Sequence, residues 1–286
     1  MSTIDKTFVK KSFNRHAYTY DQYAGLQHSQ SRALLQLLNG SAPSEILDIG
    51  MGTGTMTAHL AEKYPAAHIH GCDIALNMLA CARAKKSLTL DKNLFIAADT
   101  EFLPYRESSF DLALAGYTLQ WVVDAARAFR EVRRVLKPGG VFLCSIFGGD
   151  TFAELRQCYE QACHETGYSA GEALSLDWSE QKVLALFHGA GFMRSCASTT
   201  VVREVYGSVA ELMRAIKGMG AQNASLRRNR GLGLRAVWER MCAAYEKRFA
   251  LPSGGIPATY QIIMAKGQKP PAEERGFNAS RKTTLK

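Results

Sequence analysis

The chain has 286 residues, a length that suits one large domain with additions or two small domains. Its hydrophobic content of 47% is ordinary for a globular protein, and no apolar run is long enough to span a bilayer. The N-terminus is charged and lacks the apolar stretch of a signal peptide, so we expect a cytoplasmic protein that does not bind membranes. The 7 cysteines are scattered without a CxxC pair, which favours reduced thiols over a bound metal.

The net charge of +9 is concentrated in two segments, residues 225–241 and 266–286. A positive patch favours an acidic partner, although runs of charge more often form the solvated face of a helix. The arginines that we single out in the first segment are Arg227, Arg228, Arg230 and Arg235. The second segment is polar and has no hydrophobic period, so we expect a disordered tail.

The first 40 residues have helical patterning from residue 5 to residue 38, and Gly40 is a suitable C-terminal stop. We predict an N-terminal helical lid over 1–40. Strands and helices then alternate with short connections. The predicted strands are 44–50, 67–74, 93–99 and 141–148, with a strand and turn over 109–121, and the predicted helices are 55–65, 76–86 and 124–140.

The pattern changes after residue 148. A helical stretch over about 151–190 precedes a strand at 191–206, and a second helical stretch precedes a last strand at 258–267. We predict one α/β domain over 41–265, with a mainly parallel seven-stranded sheet and helices on both faces. The helical stretches are insertions in it, at about 148–182 and 208–250.

Three glycines alternate in the loop after the first predicted strand, which ends near Asp48. They are Gly50, Gly52 and Gly54. In an open α/β sheet, ligands bind at the carboxyl ends of the strands, and a glycine lets a ligand approach the backbone without a Cβ in the way. Asp73 ends the second strand about 20 residues further on, where a carboxylate can bind ribose hydroxyls. The loop therefore predicts a cofactor that contains a nucleoside.

The glycine spacing separates two kinds of cofactor. A dinucleotide site prefers Gly-x-Gly-x-x-Gly, with the pyrophosphate over a helix N-terminus. Here the position of the third glycine in that pattern holds Thr55, and the glycine comes one residue early, at Gly54. The pattern D-x-G-x-G-x-G resembles motif I of the class I S-adenosylmethionine-dependent methyltransferases. This resemblance implies a Rossmann-like fold with S-adenosylmethionine as cofactor, and it makes a dehydrogenase the least favoured interpretation.

Further residues occur in the order that this family uses. Asp99, flanked by Ala98 and Thr100, follows the third strand, where the family places an acidic side chain on the adenine amino group. Ile74 and Met78 would give apolar contacts near the adenine or the methionine arm. The resemblance implies a cofactor site that contains Gln27, Asp48, Gly50, Met51, Gly52, Gly54, Asp73, Ile74, Met78, Ala98, Asp99, Thr100 and Ala115.

Other segments resemble one particular family of methyltransferases. Residues 11–27, "KSFNRHAYTYDQYAGLQ", resemble the leader of the malonyl-[acyl-carrier protein] O-methyltransferases of biotin synthesis. The "LQW" at 119–121, the segment 209–224 and the last predicted strand also match, so the likeness covers about residues 6–267. One departure is Met51, where a cysteine is common in this motif. That position contributes mainly backbone, so the change carries little weight.

The narrower resemblance implies a reaction. The free carboxylate of a malonyl group on its carrier protein attacks the methyl of S-adenosylmethionine, and the products are the malonyl methyl ester that starts pimeloyl synthesis and S-adenosylhomocysteine. A carboxylate is already ionised at pH 7, so the reaction needs alignment and desolvation but no general base and no metal. Acyl carrier proteins are acidic, and the four arginines would then steer the carrier protein toward the site.

Three residues are candidates for the catalytic site. Tyr20 would recognise the malonyl carboxylate from the lid, or else it packs the lid helix onto the core. Gln120 and Trp121 would form walls of the acceptor pocket, although Trp121 also fits a core position. An arginine or lysine partner for the carboxylate is expected, and the sequence does not identify it.

Three alternatives stay open. A carboxyl methyltransferase acting on a free small acid, such as an aconitate-type enzyme, would share the cofactor loop without needing the basic segment. A related protein-modifying enzyme, such as an arginine hydroxylase, would share the Tyr-Asp leader. A nucleic-acid methyltransferase is disfavoured because the chain has no dedicated nucleic-acid module and reads "AGYTLQW" after its fourth strand, so we expect no nucleic-acid partner.

Overall fold

A computed structural model gives the structure of the chain. It describes residues 4–38, 40, 42–85, 87–88, 93–168, 176–220 and 234–272. The strands are β1 (Glu45–Ile49), β2 (His68–Asp73), β3 (Asn93–Ala97), β4 (Phe110–Gly116), β5 (Leu136–Phe147), β6 (Met193–Tyr206) and β7 (Ile256–Gln268). Within the described ranges they form a single seven-stranded sheet.

Helices surround this sheet, and polar side chains cap several of them. The helices are α1 (Lys6–His16), α2 (Tyr20–Tyr23), α3 (Gly25–Leu35), α4 (Thr55–Lys63), α5 (Leu76–Arg83), α6 (Ala125–Val135), α7 (Ala153–Thr166), α8 (Glu180–Gly189), α9 (Val209–Gly218) and α10 (Leu234–Phe249). The Asp5 carboxylate accepts a hydrogen bond from the Phe8 amide at the start of α1. Such caps satisfy amide groups that the first helical turn leaves without a partner.

The strand order is β3-β2-β1-β4-β5-β7-β6. Strands β1 to β5 pair in parallel, while β7 lies antiparallel between β5 and β6. The prediction of a mainly parallel seven-stranded sheet is therefore confirmed. The order reverses between β1 and β4, and in such sheets the crevice at the carboxyl ends of these two strands is the ligand site.

Both faces of the sheet are buried under helices. On one face α3, α4 and α10 contribute fully buried side chains such as Leu34, Leu60 and Tyr245. On the other, Phe129 of α6 and Phe187 of α8 lie in edge-on ring contact, with centroids 5.0 Å apart. Burying one such side chain stabilises the fold by about 1.5–3 kcal/mol. The two helix layers therefore hold the sheet, and with it the crevice at its strand ends, in place.

The structure corrects the boundary between α6 and β5. The predicted helix over 124–140 is wrong at its end, because α6 stops at Val135 and the strand begins at Leu136. The Pro-Gly-Gly segment lies in a bulge of β5 rather than after a helix. Lys269 holds this segment in the sheet, because its amide donates to the Gly140 carbonyl and its own carbonyl accepts from the Gly139 amide.

The two ends of the described chain pack against the domain. Ala17, between α1 and α2, is buried beside Ala75 and Met78 of the α5 region. Strand β7 continues beyond residue 265 to Gln268, and the Lys269 ammonium donates to the Leu136 carbonyl at 2.5 Å. Residues 273–286 of the predicted tail lie outside the described residues. In the part of the chain that the structure describes, no helix has the length and apolar character to cross a membrane.

Candidate active site

A cavity of about 1140 Å³, including the part open to solvent, lies at the carboxyl ends of the central strands. Loops after β1, β2, β3 and β4 form one side, and α1 and α2 contribute to the other. The sequence-predicted residues that line it are Tyr20, Gln27, Gly50, Gly52, Asp73, Ile74, Met78, Ala98, Asp99, Thr100, Gln120 and Trp121. Folding therefore brings most of the predicted site residues into one cavity.

The glycine loop has a backbone that other residues would strain. Gly50, Gly52 and Gly54 have φ values of +65°, +56° and +84°. A Cβ on Gly50 would lie 2.1 Å from the Thr118 hydroxyl oxygen, so the segment after β4 leaves no room there. A Cβ on Gly52 would meet nothing within 4 Å, because this residue borders the cavity. The bare backbone thus leaves open space for a ligand.

Asp73 ends β2 and accepts two backbone hydrogen bonds. Its carboxylate oxygens accept from the Gly52 amide at 3.0 Å and from the Ala75 amide at 2.8 Å. Burial raises the pKa of Asp73 to about 6, although these hydrogen bonds act to lower it. Each oxygen of an ionised carboxylate has a further lone pair, so Asp73 can accept hydrogen bonds from a ligand that has two hydroxyl groups.

A smaller cavity lies beside the first and shares Tyr20, Gln27 and Gly50 with it. Asp48 also lines it, with only 1% of its surface exposed, and accepts a hydrogen bond from the Thr57 hydroxyl at 2.6 Å. Burial raises the pKa of Asp48 to about 7. The Asp48 carboxylate is therefore held inside the protein rather than in the main cavity.

Three other predicted cofactor residues present no side chain to the main cavity. The Met51 side chain packs in a buried cluster with Leu79 and Phe95, while its amide donates to the Cys72 carbonyl. Gly54 precedes α4, and Ala115 is fully buried within β4. Only main-chain atoms of these residues can serve a ligand.

Lys6 of α1 is a cavity residue that the sequence reasoning missed. Its ammonium pairs with Asp99 at 2.7 Å and with Glu101 at 2.6 Å, and Glu101 also accepts from the Val123 amide. Burial acts to lower the pKa of Lys6, but the hydrogen bonds and charges of these two carboxylates raise it overall. The spacing of Lys6, Val9 and Phe13 along one helical face could have indicated the contact.

The predicted catalytic residues lie at different points of the cavity wall. Tyr20 borders both cavities and also packs against Met78 of α5. Trp121 makes an edge-on contact with Phe13 of α1, with ring centroids 5.5 Å apart. Gln120 is 7% exposed, and its buried side-chain oxygen has no hydrogen-bond partner. The contacts of Tyr20 fit both of its interpretations, as a cavity residue and as a packing residue.

Four aromatic residues, which we call the aromatic wall, line another part of the cavity: Tyr117, Phe147, Phe152 and Tyr260. Phe147 contacts both tyrosines, with centroid distances of 4.5 Å to Tyr117 and 5.8 Å to Tyr260. Tyr117 and Phe152 have left-handed backbones, with φ of 53° and 57°. Residues other than glycine rarely adopt this conformation, and such strain is concentrated at functional sites.

The predicted carrier-protein surface is only partly within the described residues. Arg227, Arg228 and Arg230 lie outside them. Arg235 lies in the first turn of α10, where its side chain is 90% exposed and pairs with Glu239 at 2.9 Å. Among the described residues, no group of three or more histidine, cysteine, aspartate or glutamate side chains is placed to hold a metal ion.

Comparisons with known proteins agree with this architecture. Residues 47–144 match the family of methyltransferase domains. The YcgJ protein from Bacillus subtilis has a similar structure, with a TM-score of 0.59 and 19% identity over 85% of this chain and 99% of that one. A phosphoethanolamine N-methyltransferase from Haemonchus contortus in complex with S-adenosyl-L-methionine aligns with a TM-score of 0.53 and 17% identity, over 90% of this chain and 57% of that one.

Relatives of higher identity share almost the whole chain. A malonyl-[acyl-carrier protein] O-methyltransferase from Geobacter sulfurreducens is 37% identical over 93% of this chain and 100% of its own length. An enzyme of the same name from Methylovorus is 35% identical over 94% of this chain and 90% of its own. The match extends far beyond the cofactor loop to the N-terminal helices and the last strand. The chain therefore belongs to the malonyl-[acyl-carrier protein] O-methyltransferase family.

Proposed function

We propose that this chain methylates the free carboxylate of a malonyl group on an acyl carrier protein, with S-adenosylmethionine as the methyl donor. The observation that carries the proposal is the similarity to malonyl-[acyl-carrier protein] O-methyltransferases over 93% of this chain. The product is the malonyl methyl ester that starts pimeloyl synthesis. The ester is neutral, so the masked end can pass through chain elongation like an ordinary acyl group.

The residues of the main cavity fit this cofactor. The bare backbone of Gly50 and Gly52 suits the amino-acid end, Asp73 suits the two ribose hydroxyls, and Asp99 suits the adenine amino group. When bound, S-adenosylmethionine supplies a methyl group on a sulfonium, so that an O–C bond forms to the acceptor as the C–S bond breaks and its electron pair goes to sulfur. Ile74 and Met78 add apolar contacts beside the nucleoside.

The acceptor needs little chemical help from the protein. Its carboxylate is ionised at pH 7, so the chain has no proton to remove. The aromatic wall displaces water from around the acceptor, and Tyr20, Gln120 and Trp121 fix its position. We assign α1–α3 as a lid, held at the cofactor end by the pairing of Lys6 with Asp99 and Glu101.

The carrier protein is the expected macromolecular partner. Acyl carrier proteins are acidic, and the arginines of the segment 225–241 supply positive charge on this chain. Opposite charges speed association and orient the partners, so we expect salt to weaken carrier-protein binding more than cofactor binding. We expect the reaction in the cytoplasm, with no metal, nucleic acid or membrane involved.

An assay with methyl-labelled S-adenosylmethionine tests the proposal. The acceptors are malonyl-carrier protein, acetyl-carrier protein and free malonate, each incubated with the full chain. We expect label on malonyl-carrier protein alone, because only that acceptor combines a free carboxylate with the carrier protein. Label on free malonate at the same rate would instead identify a small-acid methyltransferase, and label on neither acid would contradict the proposal.

A further inference from the structure

Tyr117 is a cavity residue that none of the cofactor contacts requires. It follows the last residue of β4, and its left-handed φ of 53° turns the chain directly beside the glycine loop. Its ring packs on Phe147 at a centroid distance of 4.5 Å and an interplanar angle of 31°. The residue borders both the main cavity and the smaller one. The strained backbone and the ring contact hold this side chain in one place.

The hydroxyl of Tyr117 is buried and makes no hydrogen bond of ordinary geometry. The Ser145 side chain is close enough to lower the phenol pKa, as a donor to the phenol oxygen does, but the Tyr117 hydroxyl proton has no acceptor within hydrogen-bond geometry. A buried hydroxyl without a partner destabilises a fold by about 1–3 kcal/mol. Such a group in a cavity wall is explained if a bound molecule supplies the missing partner.

The charges around the main cavity limit what that partner can be. Among the described residues that line it, Lys6 is the single lysine or arginine, and Asp99 and Glu101 already neutralise it. Within the described wall, the groups that remain for a malonyl carboxylate are therefore neutral donors. The Tyr117 hydroxyl is a donor of this kind whose proton has no competing acceptor.

We infer that the Tyr117 hydroxyl donates a hydrogen bond to the carboxylate of the acyl acceptor and distinguishes acceptors that carry it from those that do not. This inference rests on the proposed function. Burial and the neighbouring Tyr20 raise the pKa of Tyr117, so the phenol keeps its proton and stays a donor throughout the physiological range. A neutral donor orients the carboxylate without the strong ion pair that would reduce its nucleophilicity.

The test removes this one hydroxyl with Tyr117→Phe. The matched control is Tyr105→Phe, since the Tyr105 hydroxyl is also buried and unpartnered but its ring packs against His70 and Phe110, outside both cavities. Two quantities are measured for each variant: kcat/KM with malonyl-carrier protein, and the affinities for malonyl- and acetyl-carrier protein in the presence of S-adenosylhomocysteine. Thermal unfolding and the affinity for S-adenosylhomocysteine are recorded alongside.

For Tyr117→Phe we expect kcat/KM to fall by about 10- to 100-fold and the preference for malonyl- over acetyl-carrier protein to shrink by a similar factor. Its unfolding temperature should not fall, because the lost hydroxyl has no partner in the free protein. Tyr105→Phe should match wild type in both assays.

Wild-type preference in Tyr117→Phe would overturn the inference. A loss confined to S-adenosylhomocysteine affinity would also overturn it, because the hydroxyl would then bind the carboxylate of the cofactor. If wild type methylates no malonyl-carrier protein, the proposed function fails and the inference fails with it.

Discussion

The two halves of the main cavity are built in different ways. The half that we assign to the cofactor comes from the loops after β1, β2 and β3, which lie within residues 50–100, and it combines a bare glycine backbone with a few carboxylates. The half that we assign to the acceptor combines side chains from distant parts of the chain: Phe13 of α1, Tyr117 after β4, Phe147 of β5 and Tyr260 of β7. In the first half, a Cβ added at Gly50 would collide with Thr118. In the second, we propose that rings supply the shape and that a hydroxyl or an amide supplies the specificity.

The largest effect is expected in the cofactor half, from Gly50→Ala. The added Cβ would lie within 2.8 Å of three Thr118 side-chain atoms, at a φ that alanine rarely adopts. We expect the affinity for S-adenosylhomocysteine to fall by about 100-fold or more, together with a loss of about 2–6 kcal/mol in the free energy of unfolding. Calorimetric titration and denaturant unfolding measure the two quantities.

The control for that variant is Gly139→Ala, in the bulge of β5. Gly139 also has a positive φ, of +81°, but a Cβ there would meet nothing within 4 Å, and the residue lies outside both cavities. We expect a loss of about 1 kcal/mol in stability and an unchanged cofactor affinity. Equal affinities for the two alanine variants would show that cofactor binding does not need the close approach of Gly50 to Thr118.

A smaller effect is expected from Asp73→Asn. Asp73 is ionised only above its raised pKa of about 6, so the affinity of wild type for S-adenosylhomocysteine should fall as the pH is lowered through that value. The asparagine variant should bind about 10- to 100-fold more weakly at pH 8 and lose this pH dependence. Titration calorimetry across this range measures both effects.

The control here is Asp111→Asn, in β4. Asp111 binds Lys137 and the amides of Ser44 and Glu45, away from both cavities. Burial acts to raise the pKa of Asp111, but hydrogen bonds from Lys137 and these two amides lower it to about 2. This variant should bind S-adenosylhomocysteine as wild type does, with the same pH dependence. If Asp73→Asn still lost affinity for S-adenosylhomocysteine as the pH was lowered through about 6, a group other than Asp73 would be responsible for that loss.

The smallest effect is expected at the contact between the lid and the cofactor half. Lys6→Met leaves the carboxylates of Asp99 and Glu101 without their cation, and Glu101 is only 5% exposed. We expect S-adenosylhomocysteine to dissociate a few-fold faster and α1 to become more sensitive to protease, with a loss of about 1–3 kcal/mol in stability. Lys10→Met on the exposed side of α1 is the control. Identical rates of S-adenosylhomocysteine dissociation for wild type and Lys6→Met would show that the Lys6 contact of the lid does not help to retain the cofactor.

The difference between the two halves of the main cavity also explains which site residues could be predicted from the sequence. Gly50, Gly52 and Asp73 stand out because the turn after a parallel strand needs particular residues at fixed spacing, and all three line the cavity. Their roles stay predictions. The seven-stranded sheet is predictable for a similar reason, since its alternation of strands and helices is local.

On the acceptor side, Tyr20, Gln120 and Trp121 are predictable as cavity residues, but the aromatic wall and Lys6 are not. Tyr117 and Tyr260 meet through Phe147 only because β7 folds back beside β5, and no local pattern records that pairing. Lys6 lies 93 residues from Asp99 along the chain. The start of β5 was missed because its Pro-Gly-Gly segment is held by Lys269 from the far end of the domain.

We propose that this cavity directs a methyl group onto the carboxylate of a carrier-bound malonyl group. Mass spectrometry of malonyl-carrier protein, after reaction with the full chain and S-adenosylmethionine, is the decisive measurement because it locates the methyl group. We expect one added methyl on the acyl end of the phosphopantetheine arm, removable by ester hydrolysis, and none on acetyl-carrier protein. A methyl group on a protein side chain, or equal modification of the acetyl form, would contradict it.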